Sequence, residues 1–242
     1  MSRQNWVVFA VIATVAGTLW ARRDYMAWLA LGPGGLPPTP RVWLRMTGLR
    51  FQAGNPFDVT DLRGTTGRGH DVAALVDLPT RSGQRPRVSP HPVPHRQLTD
   101  HASPALKAAL SQTFEDRVAR DPAALDYVLS HFEKNNRAVT LRREFCRHAD
   151  AHAGHGEIGH IHPTDGSMHM ILSPSDAICV VERGWGELHG CAGRALGLPA
   201  TYTLVYAPRD PTELAIVRSL LDAATCYIAA RAPIKRQHGD VD

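Results

Sequence analysis

EIGHIHPTDGSMHMILS, residues 157–173, reads as a β-hairpin. Alternation runs through Gly159, His160, Ile161 and His162 and again through Met168, His169, Met170 and Ile171, with Pro163, Thr164, Asp165 and Gly166 supplying turn chemistry between them. Successive strand side chains point to opposite faces, so His160 and His162 share a face. A two-residue loop pairs His169 with His162 and a four-residue loop pairs it with His160; both gather three imidazoles on one side. An odd loop or a bulge breaks the cluster. Ile161, Met168, Met170 and Leu172 fall on the other side as ordinary core.

A single strand histidine is ordinarily a surface or satisfied core residue. Three on one face ask for chemistry. An imidazole titrates near pH 6.5, so clustered histidines act as bases, hydrogen-bond donors or metal ligands, and the residue types alone do not choose. Farther on, GWGELH (residues 184–189) has glycines that permit a tight path and bring Trp185, Glu187 and His189 close together as a pocket wall.

Around this hairpin, residues 177–181 read as a third strand and residues 201–207 as a fourth. Asp210-Pro211-Thr212-Glu213 is a strong helix start, and Leu214, Val217, Leu221, Ala224 and Ile228 form one apolar stripe that should lie on the sheet. Upstream, Ser103-Pro104 opens a helix with Leu106, Leu110, Phe114 and Val118 at helical spacing, and Asp121-Pro122 predicts another carrying Leu125, Val128, Leu129 and Phe132. Residues 41–51 suit a short helix, residues 54–70 a surface loop, and residues 72–78 a short apolar element. The proline- and arginine-rich residues 81–96 should be extended, either as a rim over an acidic or phenolic ligand or as a solvated connection. His148, His152 and His155 read as solvated loop histidines, and residues 235–242 as a frayed tail. The expected class is α+β, a mainly antiparallel sheet of four or more strands covered on one face by the C-terminal helix and the helices of residues 103–132.

With 242 residues, 43% of them hydrophobic, the chain supports one sizeable core. Its formal charge of +4 comes from dispersed arginines without a long basic block, which argues against nucleic acid as a partner. Cys146, Cys179, Cys191 and Cys226 show no C-x-x-C spacing, so they read as reduced thiols. WVVFAVIATVAGTLWA, residues 6–21, is uncharged and spans about 24 Å as a helix, short of the roughly 30 Å hydrocarbon core but workable with local thinning and with Arg3, Arg22 and Arg23 snorkelling at its ends. A cleaved signal peptide also fits that length, but no small-x-small site precedes the arginine pair, which favours an uncleaved anchor. The pair itself favours a cytosolic position for the remainder of the chain. The resulting organisation is an anchor and juxtamembrane segment in residues 1–31, a glycine and proline linker in residues 32–40, and a catalytic domain in residues 41–242.

EIGHIHPTDGSMHMILS, then ERGWGELH, then TYTLVYAPRDPTEL with its long helix, resembles the fungal luciferase family, as do RRDYMAWLALGP and DLPTRSGQRPRVSPHP. The resemblance implies a membrane-anchored luciferase-like oxygenase: dioxygen adds to an ionised 3-hydroxypyranone of the 3-hydroxyhispidin kind, and a strained peroxide loses carbon dioxide, with or without light. It implies no cofactor beyond dioxygen and Glu157, His160, His162, His169, Trp185, His189, Tyr206 and Arg209 as the positions matching the family pattern; with the arginine pair after the anchor, the expected location is an endomembrane with the catalytic domain facing the cytosol. In physical terms His160, His162 or His169 would ionise the enol, His189 or Arg209 would stabilise the oxyanion, Trp185 would stack on the substrate and Tyr206 would hydrogen-bond its phenol. The turn lacks the additional histidine of luminous members, and Gly190-Cys191 replaces their Pro-Leu.

Two rival readings stand beside this one. His-x-His followed by Gly184, Gly186 and His189 resembles the two motifs of cupins, with a divalent metal on His160, His162 and His169, although Gly166 and Ser167 stand where the cupin glutamate falls. The other is a membrane-tethered, non-enzymatic binding module for small aromatic ligands.

Overall fold

The structure is a computed structural model that describes residues 3–231. The tail expected at residues 235–242 lies outside the described residues. The α+β class holds: six strands form one antiparallel sheet in the order β1-β2-β3-β4-β6-β5. These are β1 (Leu125–Leu129), β2 (Arg137–Leu141), β3 (Glu157–Ile161), β4 (Met168–Ile171), β5 (Gly186–Leu188) and β6 (Tyr202–Val205). A cupin jelly roll needs two packed sheets, whereas the described strands make one.

Helices follow their caps. α1 is Arg3–Ala30, α2 Pro40–Leu49, α3 Thr60–Arg63, α4 Pro104–Ala119, α5 Ala149–Ala153, α6 Pro174–Glu182 and α7 Pro211–Ile228. In α4 and α7, Ser103 and Asp210 accept hydrogen bonds from the backbone N–H groups of Leu106 and Glu213, as the sequence signals require. α7 packs on β3 and β4, and α4 packs beside it on β1 and β2. Val217, Leu221 and Ile228 of α7 share one apolar cluster with Phe114, Ile158, Met168 and Met170.

Two expected elements are corrected. Residues 177–181 lie in helix α6, not a strand: Ser173-Pro174 caps it as Ser103-Pro104 caps α4, and the short apolar run fits a buried helix as well as a strand. Residues 125–129 form strand β1, not the helix expected after Asp121-Pro122. That turn stops after Asp121 O accepts from the N–H groups of Ala124 and Leu125, and pairing with β2 takes over. Lys134, at positive φ, and the two asparagines after it make the return between these strands.

By length and composition α1 is able to cross a membrane, a test that a signal sequence also passes. Its last turns dock on the rest of the chain. Trp28 is buried and donates from Nε1 to Val93 O (2.8 Å), while Asp24 accepts from Trp43 Nε1 (2.8 Å) and Arg50 Nη2 (2.9 Å). The glycine and proline stretch after α1 is packed too: a Cβ on Gly35 would lie 2.4 Å from Phe132 O and 2.8 Å from Glu133 O.

Candidate active site

The hairpin takes the four-residue turn. His160 pairs with His169 and Ile161 with Met168, and His162 N–H donates to Ser167 O across the loop (2.8 Å). All three imidazoles converge as parity requires. His160 and His162 are 0% exposed and His169 is 2% exposed. His162 Nε2 stands 3.1 Å from His169 Nδ1, which stands 3.4 Å from His160 Nε2.

The remote nitrogen of each outer ring is held by a partner. His160 Nδ1 donates to Glu157 Oε1 at 2.5 Å, and the same carboxylate accepts from Ser130 Oγ (3.0 and 2.9 Å) and from His131 N–H (2.8 Å). Simple alternation would put Glu157 on the face of Gly159 and Ile161. The β2–β3 register shifts here, with Val139 opposite Gly159 but Thr140 opposite Glu157, so Ile158 is the extra residue and Glu157 turns to the imidazole side. His162 Nδ1 lies 2.8 Å from Ser167 Oγ, whose own proton goes to Asp165 Oδ2 (2.8 Å). Asp165 Oδ2 also accepts from Gln97 N–H (2.7 Å), which fixes the turn from outside.

The sequence reading missed several members of this centre. His95 Nδ1 lies 3.3 Å from His169 Nε2, and His95 Nε2 lies 3.3 Å from Glu187 Oε1. Glu133 sits beside His160, with Oε1 4.0 Å from Nε2, and is clamped by Arg96 Nη1 (3.1 Å) and Nη2 (2.5 Å). Arg96 also donates to Pro33 O (2.8 Å). Tyr202 stacks on His169 with centroids 4.6 Å apart. Thus residues 81–96, expected as a rim or connection, deliver the buried Arg81, His91, His95 and Arg96. The available signal was two histidines in a segment too proline-rich to be a central strand.

Of the expected substrate-binding residues, Tyr206 joins the network, donating to Glu187 Oε2 at 2.8 Å. Trp185 instead packs in the core with Nε1 bonded to Pro79 O (2.6 Å). Arg209 is tied to Glu213 and Ser82. His189 packs edge-on against His95, with centroids 4.8 Å apart, and its Nδ1 accepts from Cys191 N–H (3.0 Å).

Burial dominates the electrostatics. It pushes His162, His169 and His189 well below the usual imidazole range; Arg96 adds to this at His162, His162 at His169, and His95 at His189. Burial alone would raise the Glu157 carboxyl, but His160, Ser130 and the His131 N–H outweigh it and hold Glu157 below the usual value. The Tyr202 phenol is pushed well up by burial and by Glu157 and Glu133. Two ligand sets stand out: Glu133, His160, His162 and His169, and separately His95, His169 and His189, each with its ligand atoms within 4.8 Å of one another.

His189 connects this centre to a cleft of about 570 Å³ walled by Asn55, Leu62, His148, Leu188, Thr201 and Tyr227 among others. A second hollow, about 500 Å³, lies where α1 meets Leu36, Pro37, Val93 and Pro94. Both are of the size that small-molecule ligands occupy.

A luciferase-domain family model matches residues 155–224, the hairpin through most of α7. A luciferase of Armillaria gallica is 31% identical over 235 residues and one of Armillaria mellea 30% over 233 residues, each covering 90% of this chain and 85% of the relative. A luciferase of Neonothopanus nambi is 27% identical over 232 residues. No solved structure matches. These relatives define the class, an oxidoreductase-type enzyme that brings a small molecule and dioxygen together. The chain belongs to the fungal luciferase family.

Proposed function

We propose that the protein is a membrane-anchored oxygenase acting on a 3-hydroxypyranone of the 3-hydroxyhispidin type, with α1 as anchor and the remainder of the chain facing the cytosol. The observation that carries this reading is the buried imidazole cluster beside a cleft of about 570 Å³, roomy enough for a flat ring compound. In the reaction, the enol loses its proton, dioxygen adds to the ring, and the resulting peroxide loses carbon dioxide. His189 lines the cleft, with His95 and His169 behind it. Burial keeps His189 uncharged, the form that accepts a proton. Glu187 beside His95 stabilises an imidazolium once it forms, and Glu157 fixes the orientation of the His160 ring.

Tyr206 and Glu187 act in this scheme by orienting His95. The Trp185 and Arg209 roles implied by the resemblance find less support, since both side chains are committed elsewhere. The test is dioxygen uptake and photon counting by the detergent-solubilised full chain supplied with 3-hydroxyhispidin. Uptake that saturates with substrate is expected; its absence in folded protein overturns the reading. Light is a separate outcome, because a dark member would still consume dioxygen.

A further inference from the structure

We propose that His160, His162, His169 and Glu133 bind one divalent first-row transition-metal ion, iron(II) or manganese(II). Hydrogen-bond accounting carries the inference. Ser167 gives its proton to Asp165, so Ser167 Oγ accepts from His162 Nδ1, and the neutral His162 ring presents a lone pair at Nε2. His160 gives its Nδ1 proton to the Glu157 carboxylate and presents a lone pair at Nε2 in the same way. Both lone pairs point at His169 Nδ1, at 3.1 and 3.4 Å.

His169 resolves this conflict in only one of its neutral forms, and at a cost on its other side. A proton on Nδ1 leaves Nε2 as a lone pair facing His95 Nδ1 at 3.3 Å, while His95 Nε2 already donates to Glu187. Two acceptors then oppose each other. With a cation where the three inner nitrogens meet, His169 carries its proton on Nε2, donates to His95 Nδ1, and every imidazole is satisfied.

The spacing agrees. Two ligands about 2.1 Å from one ion, at cis octahedral or tetrahedral angles, lie roughly 3.0–3.4 Å apart, the separation of the inner nitrogens. Glu133 Oε1 stands wider, 4.0 Å from His160 Nε2, and by closing in would complete a three-nitrogen, one-oxygen set of the kind that iron and manganese accept. Carboxylate and hydroxyl partners on the remote nitrogens are the usual support of metal-binding histidines. Glu133 comes from the turn after β1, so this site does not depend on the residue that cupins place after His-x-His.

The ion's part in oxygen chemistry rests on the oxygenase reading; its binding does not. The full chain in detergent is stripped with chelator, reloaded anaerobically with iron(II), manganese(II) or cobalt(II), desalted, and analysed for metal content and for cobalt absorption in the visible. About one ion per chain is expected, with cobalt bands showing nitrogen and oxygen ligation. Glu157→Gln, which only positions His160, should weaken binding by about 10- to 100-fold, and Glu133→Gln or His162→Ala by more than tenfold, whereas His148→Ala should bind normally. Folded wild-type protein that retains no ion, or whose ion is indifferent to all of these substitutions, overturns the site. Folded protein that takes up no ion yet still consumes dioxygen overturns the site while leaving the oxygenase reading intact, and protein that binds the ion but takes up no dioxygen with the pyranone does the reverse.

Discussion

His169 is the residue on which the centre turns: one ring nitrogen faces His160 and His162, the other faces His95. His169→Ala should lower dioxygen uptake by roughly 100-fold or more, the order of loss expected when a positioned group at the reaction centre is removed. The fold should survive it, with a far-UV spectrum like that of the wild type. A variant that simply fails to fold would show that the ring serves packing. Asp176 gives a prediction on stability. Burial pushes its carboxyl up to about 6 despite the hydrogen bond from Leu75 N–H, and its Oδ2 is buried without a partner. Between about pH 4 and 6 the native state therefore holds a proton that the unfolded chain has released, and this stabilising contribution is lost as pH rises through 6. Asp176→Asn should accordingly raise stability at pH 7.5 by up to roughly 2–3 kcal/mol and give no gain below pH 4, as read by denaturant unfolding at both.

At the scale of elements, the β3–β4 hairpin was readable because its period of two and its turn residues agree with its tertiary pairing. Gly159 shows how tightly the pair closes: a Cβ there would lie 2.7 Å from His169 O and 3.0 Å from Met170 Cγ. Gly159→Ala should cost about 1–3 kcal/mol in thermal unfolding and displace His169 from its neighbours. α7 was equally plain, and Asp210→Ala, which removes the acceptor for Glu213 N–H, should cost about 1 kcal/mol. Elsewhere local signals were ambiguous. Leu125, Val128, Leu129 and Phe132 keep helical spacing by coincidence, since Leu125–Leu129 is held extended by β2. That misreading hid Glu133, which lies in the turn and not on a helix. The bulge opposite Thr140 is likewise invisible in a single sequence, yet it aims Glu157 at His160. His95 escaped notice for a different reason: its closeness to His169 spans 74 residues of chain and leaves no periodic trace.

For the whole molecule, the relation of α1 to the remainder yields the clearest test. A chain lacking residues 1–21 should fold and keep its dioxygen uptake, because Asp24, Tyr25 and Trp28, which hydrogen-bond to Trp43, Pro38 and Val93, are all retained. One lacking residues 1–38 should be much less stable and inactive, since it loses those contacts and Pro33 O, the acceptor for Arg96. Comparing uptake and melting temperature for the two truncations checks this.

Arg96 grips Glu133 with both terminal nitrogens of its guanidinium group, and one of them, Nη2, also holds the backbone just beyond α1 at Pro33 O. The segment that follows the N-terminal helix and the carboxylate nearest His160 are therefore one side chain apart, so the position of the first bears directly on the second.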